Sequence, residues 1–325
     1  MPVRLGLLST ARINDEILLG AAPSDAVEVV AVGSRDRARA EAYAQQKGIP
    51  CAHGSYEELL SDPEVDAIYN SLPNSLHVPW TLRALDAGKH VLVEKPFDRR
   101  PAEVARAFDA ADAAGLIVME AFMYRHHPQT KRLRELIAGG SIGELREIRS
   151  TFTYQLEDPT DVRLYRELDG GSLMDLGCYC VSGSRLLAGE PELVEGTQLI
   201  GGDGVDVHFT GTLRFPGGVE SRFECGFDSP PSSTLEAIGS EGSALVNEPW
   251  ACSEHAIDLH RGCHTARVEL EDADRYRLQL ENFAAAIQGE AEPLLGRADA
   301  LGQVRTIEAL YRSAEAGAPV APASA

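Results

Sequence analysis

Apolar and polar positions set up two different rhythms along the chain. Through the first 122 residues, short apolar blocks are spaced by helical patterns. "VRLGLLS" (3–9), "VEVVAVGS" (27–34), "AIYNSLP" (67–73), "HVLVEK" (90–95) and "LIVMEAF" (116–122) read as strands. "RDRARAEAYAQQKG", "NSLHVPWTLRALDAGK" and "PAEVARAFDAADAAG" carry the helical pattern between them. Strands separated by helices of ~10–15 residues predict βαβ units and a parallel sheet. In such sheets the crossovers are right-handed, and ligands gather at the carboxyl ends of the strands.

After about residue 140 the rhythm changes. "GELREIRSTFTYQL" alternates like a half-buried strand, and "GGSLMDLGCYCVSGSRLLAG" reads as a helix opened by glycines. Strand-like runs follow: "VDVHFTGTLRF", "VESRFECGF", "TLEAIGSEGSALVN" and "HAIDLHR". PGG, SPPSS and SEGS punctuate them, and all three have turn chemistry. Two helical patterns, "YRLQLENFAAAIQG" and "RADALGQVRTIEALYRSAEAG", close the chain. The expected architecture is α/β in two domains. Residues 1–122 form a doubly wound parallel sheet of the Rossmann type. Residues 123–325 form an α+β domain with a mostly antiparallel, open-faced sheet, and the closing helices are free to pack back on the first domain.

Composition narrows the function. A formal net charge of -20 repels phosphates and argues against a nucleic-acid partner. No run approaches the ~18 apolar residues of a membrane span, so a soluble, cytoplasmic protein is expected. The six cysteines (51, 178, 180, 225, 252 and 263) have no framework spacing, and reduced thiols are the default. Only four lysines occur, at 47, 89, 95 and 131, which makes Lys95 at the end of an apolar strand conspicuous.

The first strand–helix turn reads Ser9-Thr10-Ala11-Arg12-Ile13. A dinucleotide fingerprint has glycines here, so that backbone amides approach a pyrophosphate. Ser9 and Ala11 are small enough to stand in, and the Ser9 and Thr10 hydroxyls can donate to phosphate. A tight turn with no ligand would show the same pattern. At the tip of the second strand, Gly33-Ser34-Arg35-Asp36 replaces the acidic residue usual at NAD sites. Ser34 and Arg35 suit a 2′-phosphate, which favours NADP(H), with NAD the alternative. Two other readings stay open: Arg35 opening a solvated helix, and Asp36 serving as ribose ligand or helix cap.

The segments "GLLSTARI", "VGSRD", "LPNSLH", "HVLVEKPF", "MEAFMYRHHPQ" and "GGSLMDLGCY", in that order, are similar to the glucose-fructose oxidoreductase / inositol dehydrogenase / rhizopine-catabolism (Gfo/Idh/MocA) family. The chain most resembles its branch of dimeric dihydrodiol dehydrogenase and NADP-dependent D-xylose dehydrogenases. The resemblance implies a catalytic lysine from the EKP motif, here Lys95, whose bond to Pro96 is often cis in the family. It implies a second element of Asp175 and Tyr179, one helical turn apart. The "LPNSLH" stretch, with Leu72, Pro73, Asn74 and His77, matches a loop over the cofactor. Glu94 and Lys95 close the cofactor set. Tyr124 and Arg163 join Lys95, Asp175 and Tyr179 as candidate substrate contacts, and Arg125, His126 and His127 cluster beside Tyr124.

The implied reaction is hydride transfer between nicotinamide and a hydroxyl of a sugar, cyclic polyol or dihydrodiol. A free phenol with a pKa of ~10 is a poor base at neutral pH, and a nearby ammonium lowers it. Tyr179 is therefore the expected acid/base, Lys95 its tuning charge, and Asp175 an orienting carboxylate. Glu120 and Glu94 compete to pair with Lys95. The alternatives are a keto-sugar reductase of the same family and a non-catalytic NADP-binding sensor. The resemblance also implies a homodimer formed through the C-terminal sheet. One rival cluster, Cys252, His255, His260, Cys263 and His264, is dense enough to suggest zinc, but its spacings match no common module. Metal-independent chemistry is the expectation.

Overall fold

A computed structural model describes residues 1–323. The chain divides into two compact units, Met1–Met123 with Asp274–Leu301, and Tyr124–Ala273 with the residues from Gly302 onward.

The first unit contains β1 (Val3–Leu8), α1 (Asn14–Ala21), β2 (Val27–Gly33), α2 (Arg37–Lys47), β3 (Cys51–His53), α3 (Tyr56–Leu60), β4 (Ala67–Asn70), α4 (His77–Asp86), β5 (His90–Glu94), α5 (Pro101–Ala114) and β6 (Val118–Ala121). The six strands form one parallel sheet in the order β3-β2-β1-β4-β5-β6. Strands covered on both faces need apolar residues at every position, which explains the continuous runs in the sequence. Leu5, Leu7, Ile68, Tyr69, Val91, Leu92 and Val93 are fully buried. Each such aliphatic side chain contributes about 1.5–3 kcal/mol relative to exposure.

The second unit contains α6 (Pro128–Ala138), β7 (Leu145–Gln155), α7 (Cys178–Ala188), β8 (Leu193–Ile200), β9 (Asp206–Arg214), β10 (Glu220–Gly226), β11 (Asp228–Gly239), β12 (Ser243–Asn247), β13 (Ala256–Arg261) and β14 (His264–Glu269). Its eight strands run β14-β13-β12-β11-β7-β10-β9-β8. Every neighbouring pair is antiparallel except β7 with β10. The apolar positions of these strands, among them Ile148, Phe209, Leu213, Phe223, Leu235, Val246 and Ile257, are buried. The α/β architecture with one parallel and one mostly antiparallel sheet is therefore the expected one.

Two helices close the chain, α8 (Arg275–Ile287) and α9 (Arg297–Ala316), and the division between units falls inside α9. α8 packs on α1 in the first unit. At Gly20 the two backbones come so close that an added Cβ would lie 2.8 Å from the Arg277 nitrogen. No helix among the described residues is long and apolar enough to cross a membrane.

One turn expectation fails. PGG (216–218) and SEGS (240–243) do connect strands, but SPPSS (229–233) lies inside β11. The register against β7 shifts between Asp228 and Ser232, so the two prolines occupy an irregularity where no ladder donor is required. Hydroxyls tie this segment to β7: Thr153 donates to the Pro230 carbonyl at 2.7 Å, and Thr151 and Ser232 share a hydrogen at 2.9 Å.

Candidate functional site

In the first unit the candidate residues sit where parallel strands end. The sheet's connections run one way from β1 and the other way from β4, which makes the β1–β4 boundary the ligand-binding crevice of such folds. Ser9, just past β1, has φ +149°, a setting side-chain-bearing residues rarely adopt. Its hydroxyl lies 2.8 Å from the Ser71 hydroxyl beyond β4 and accepts the Ala11 amide at 3.1 Å. The buried Asn14 amide donates to the Ser9 carbonyl at 2.8 Å. The strained turn is thus braced from three sides, while Thr10, Ala11 and Ile13 remain partly exposed and Arg12 exposed.

At the tip of β2, Asp36 is the N-cap of α2, its carboxylate accepting the Arg39 amide at 2.7 Å. One oxygen of the acidic group that could receive ribose hydroxyls is thus engaged by the helix. Ser34 is buried, and its amide donates to the His53 carbonyl at 3.1 Å. Arg35 is exposed beside it. A hydroxyl and a guanidinium at this tip are a donor set suited to a 2′-phosphorylated dinucleotide.

The "LPNSLH" stretch follows β4. Asn70, fully buried, donates to the His77 carbonyl at 2.9 Å and accepts the Leu72 amide at 3.4 Å, closing the loop on itself. Pro73 and Asn74 are partly exposed. His77 is buried, with Nε2 2.7 Å from the Leu72 carbonyl and Nδ1 2.9 Å from the Pro96 carbonyl. Burial pushes its pKa down while both carbonyls pull it up, and burial prevails. His77 therefore ties the loop after β4 to the turn after β5. The Lys95–Pro96 bond in that turn is cis. Glu94 accepts the Tyr69 hydroxyl at 2.5 Å, and the buried Glu120 accepts the Phe97 amide at 2.8 Å.

In the second unit, Asp175 lies in a wide, π-helical turn, Leu173–Gly177, that leads into α7. Such turns mark functional positions often enough to be informative. With Tyr179 in the first turn of α7, the two side chains are four residues apart across the junction. Asp175 accepts Arg163 Nε at 2.7 Å, and Arg163 Nη1 reaches Asp161 at 3.1 Å. The Asp175 charge, with that of Asp161, holds the Arg163 guanidinium firmly protonated against the cost of burial. Tyr179 is buried among rings, with centroids 5.5 Å from Phe152 and 5.8 Å from both Tyr124 and Trp250.

Tyr124 is also buried and donates to the Ser182 hydroxyl at 2.7 Å, which Arg125 Nη1 also reaches at 3.2 Å. His127 caps α6, accepting the Gln129 amide at Nδ1, while Nε2 faces the Ala273 carbonyl at 3.0 Å. That pair fixes an Nε2–H tautomer. Buried His126 has its pKa driven down to about 3, first by burial and then by Arg125 and Lys131.

Sequence reasoning missed the residue that anchors the Asp175 turn. Asp206, buried at the start of β9, accepts the Ser172 hydroxyl at 2.8 Å, the Leu173 amide at 2.6 Å and the Tyr311 hydroxyl at 2.8 Å. Burial raises its pKa against these three donors. Gly171, with φ +120°, leaves the room this requires: a Cβ there would lie 2.2 Å from Asp206 Oδ1. The available signal was an aspartate between two valines at the head of an apolar strand.

The zinc-like cluster does not converge. Cys252 donates to the Pro249 carbonyl, His255 faces Asp272, His260 faces Thr265, and Cys263 is exposed.

Comparison with known proteins finds relatives over nearly the whole chain. Residues 10–122 match the oxidoreductase-family model with an NAD-binding Rossmann fold, and residues 130–245 match the GFO/IDH/MocA C-terminal domain. D-xylose 1-dehydrogenase (NADP(+)) 2 of Haloferax volcanii is 40% identical over 324 residues, spanning 97% of this chain and 98% of the relative. Mouse trans-1,2-dihydrobenzene-1,2-diol dehydrogenase is 37% identical over 265 residues, 80% of this chain and 79% of that one. Among solved structures, a 3-ketoreductase from Actinomadura kijaniata in complex with NADP and TDP-benzene superposes with a TM-score of 0.92 at 30% identity, covering 96% and 98% of the two chains.

Proposed function

Because the chain belongs to the Gfo/Idh/MocA oxidoreductase family, we propose that it is an NADP(H)-dependent dehydrogenase of a sugar, cyclic polyol or dihydrodiol. The substrate class follows the named activities of its relatives. The cofactor preference rests on the exposed Arg35 at the tip of β2 and on the NADP named for its relatives.

The observation that carries the catalytic assignment is the Asp175–Tyr179 turn. Arg163 keeps Asp175 paired as a carboxylate, suited to orienting substrate hydroxyls. Three aromatic neighbours fix the Tyr179 ring, so its hydroxyl is presented with little rotational freedom. Oxidising an alcohol requires the hydroxyl proton to leave as hydride departs from carbon. The bound dinucleotide supplies the hydride acceptor or donor. Tyr179 takes or returns the proton, and Lys95, the lysine of the EKP motif, is the second catalytic residue that the family resemblance implies. Run in reverse, the same residues reduce a ketone, a direction the 3-ketoreductase similarity favours.

We also assign pairing of two copies to the C-terminal sheet, where Thr151, Ser232 and Thr234 form a hydroxyl ladder with Ser232 exposed. Analytical ultracentrifugation reads this directly, and a strictly monomeric protein removes the assignment.

The experiment is a nicotinamide-absorbance assay with NADP and NAD against xylose, glucose, inositols and dihydrodiols. Tyr179→Phe and Lys95→Met run beside the wild type. Tyr179→Phe is expected to lower kcat by about 10²–10⁴-fold with NADP binding intact. Near-normal turnover in either variant removes the assignment of that residue.

A further inference from the structure

The outer edge of the parallel sheet holds a group of side chains for which the proposed reaction has no use. β3 is the edge strand. Cys51 and His53 are two residues apart on it and so project from the same face. Asp62 follows α3. His53 Nε2 lies 2.9 Å from Asp62 Oδ2 and 3.5 Å from Cys51 Sγ. One ligating atom from each of the three residues lies within 4.8 Å of the other two, and among the described residues this is the group of three that converges in this way.

Thiolate, imidazole and carboxylate are the donor types of zinc. Around a tetrahedral zinc with ligand bonds of 2.0–2.3 Å, neighbouring donor atoms stand roughly 3.3–3.8 Å apart. The His53–Cys51 spacing already has that value, and the His53–Asp62 spacing needs to open by about 0.4 Å. The other Asp62 oxygen accepts the Glu64 amide at 2.8 Å, which aims Oδ2 inward. The His53 and Asp62 side chains are 16% and 13% exposed, so solvent touches the group. One thiolate and one carboxylate neutralise a divalent cation. Lys89 adds nearby positive charge, which weakens binding, but its ammonium is committed to the Asp62 and Val65 carbonyls at 2.8 and 2.6 Å.

We propose that Cys51, His53 and Asp62 form a zinc-class metal site, completed by water, that pins the end of α3 to the edge strand. Binding releases the Cys51 thiol proton to solvent and moves the imidazole proton to Nδ1, freeing the Nε2 lone pair. No redox change accompanies it.

The test is titration of the chelator-treated full chain with Co²⁺ alone. One equivalent is expected to produce a near-ultraviolet thiolate-to-cobalt charge-transfer band that Zn²⁺ displaces. Cys51→Ser should abolish the band and weaken Zn²⁺ binding by at least about 10-fold. Cys263→Ser, which alters an exposed cysteine elsewhere, should leave both unchanged. His53→Gln supplies a second variant, with circular dichroism reporting the fold of each. No band in the wild type overturns the proposal, as does a band that survives both Cys51→Ser and His53→Gln.

Discussion

Asp206→Ala removes a buried carboxylate that receives three donors, from Ser172, Leu173 and Tyr311. Each donor left unsatisfied costs about 1–3 kcal/mol. Against that, the carboxylate is itself disfavoured by burial, as its raised pKa shows, and its removal returns part of the loss. The net expectation is destabilisation of about 2–4 kcal/mol. Asp206→Asn keeps one carbonyl oxygen for Ser172 and Leu173, and the Tyr311 hydroxyl can turn to accept from the new amide, so it should cost only about 1 kcal/mol. The sign with pH follows from the raised folded pKa. The carboxyl's contribution is complete below its unfolded pKa of ~3.9 and declines as pH rises through the higher folded value. The wild type's advantage over Asp206→Asn therefore shrinks over that rise. Denaturant unfolding of the three proteins at several pH values measures all of this. Turnover adds a second readout, because the Leu173 amide opens the turn that carries Asp175. An Asp206→Ala protein as stable as the wild type would refute the reasoning, as would Asn costing as much as Ala.

Two further outcomes are expected. Arg35→Ala should raise KM for NADP by about 10–100-fold, the loss of one charge-assisted phosphate contact, with KM for NAD little changed; steady-state kinetics with both cofactors decides it. His126, whose folded pKa is lowered to about 3, contributes stability present above its unfolded value that is lost as pH falls toward 3. At ~1.4 kcal/mol per unit the full swing is on the order of 5 kcal/mol, so His126→Leu should flatten the acid limb of a thermal-stability profile; an unchanged limb sinks the assignment.

The strands of the parallel sheet were legible because both faces are covered, which forces apolar residues at consecutive positions. β3 was not, since Cys-Ala-His is too short and too mixed in polarity to show a period. Within β11 the dipeptide Pro230-Pro231 carried a local turn signal that the shifted register against β7 overrides. Lys95, Asp175 and Tyr179 stood out through the order of motifs rather than through periodicity. What surrounds them was invisible, because Asp206 and Gly171 are 35 positions apart and meet only once β9 is formed. The capping of α2 by Asp36 was one of two open readings, and only the geometry of the Arg39 amide distinguishes them.

The first compact unit draws on Asp274–Leu301 as well as on residues up to Met123. α1 meets α8 at Gly20, and the Glu120 amide on β6 donates to the Leu295 carbonyl. A ribosome adding roughly 5–20 residues per second therefore spends on the order of ten seconds between finishing β6 and delivering the segment that covers it. During that interval the six-stranded sheet is without the partner of α1, and it is in this window that the nascent chain is most open to capture by chaperones.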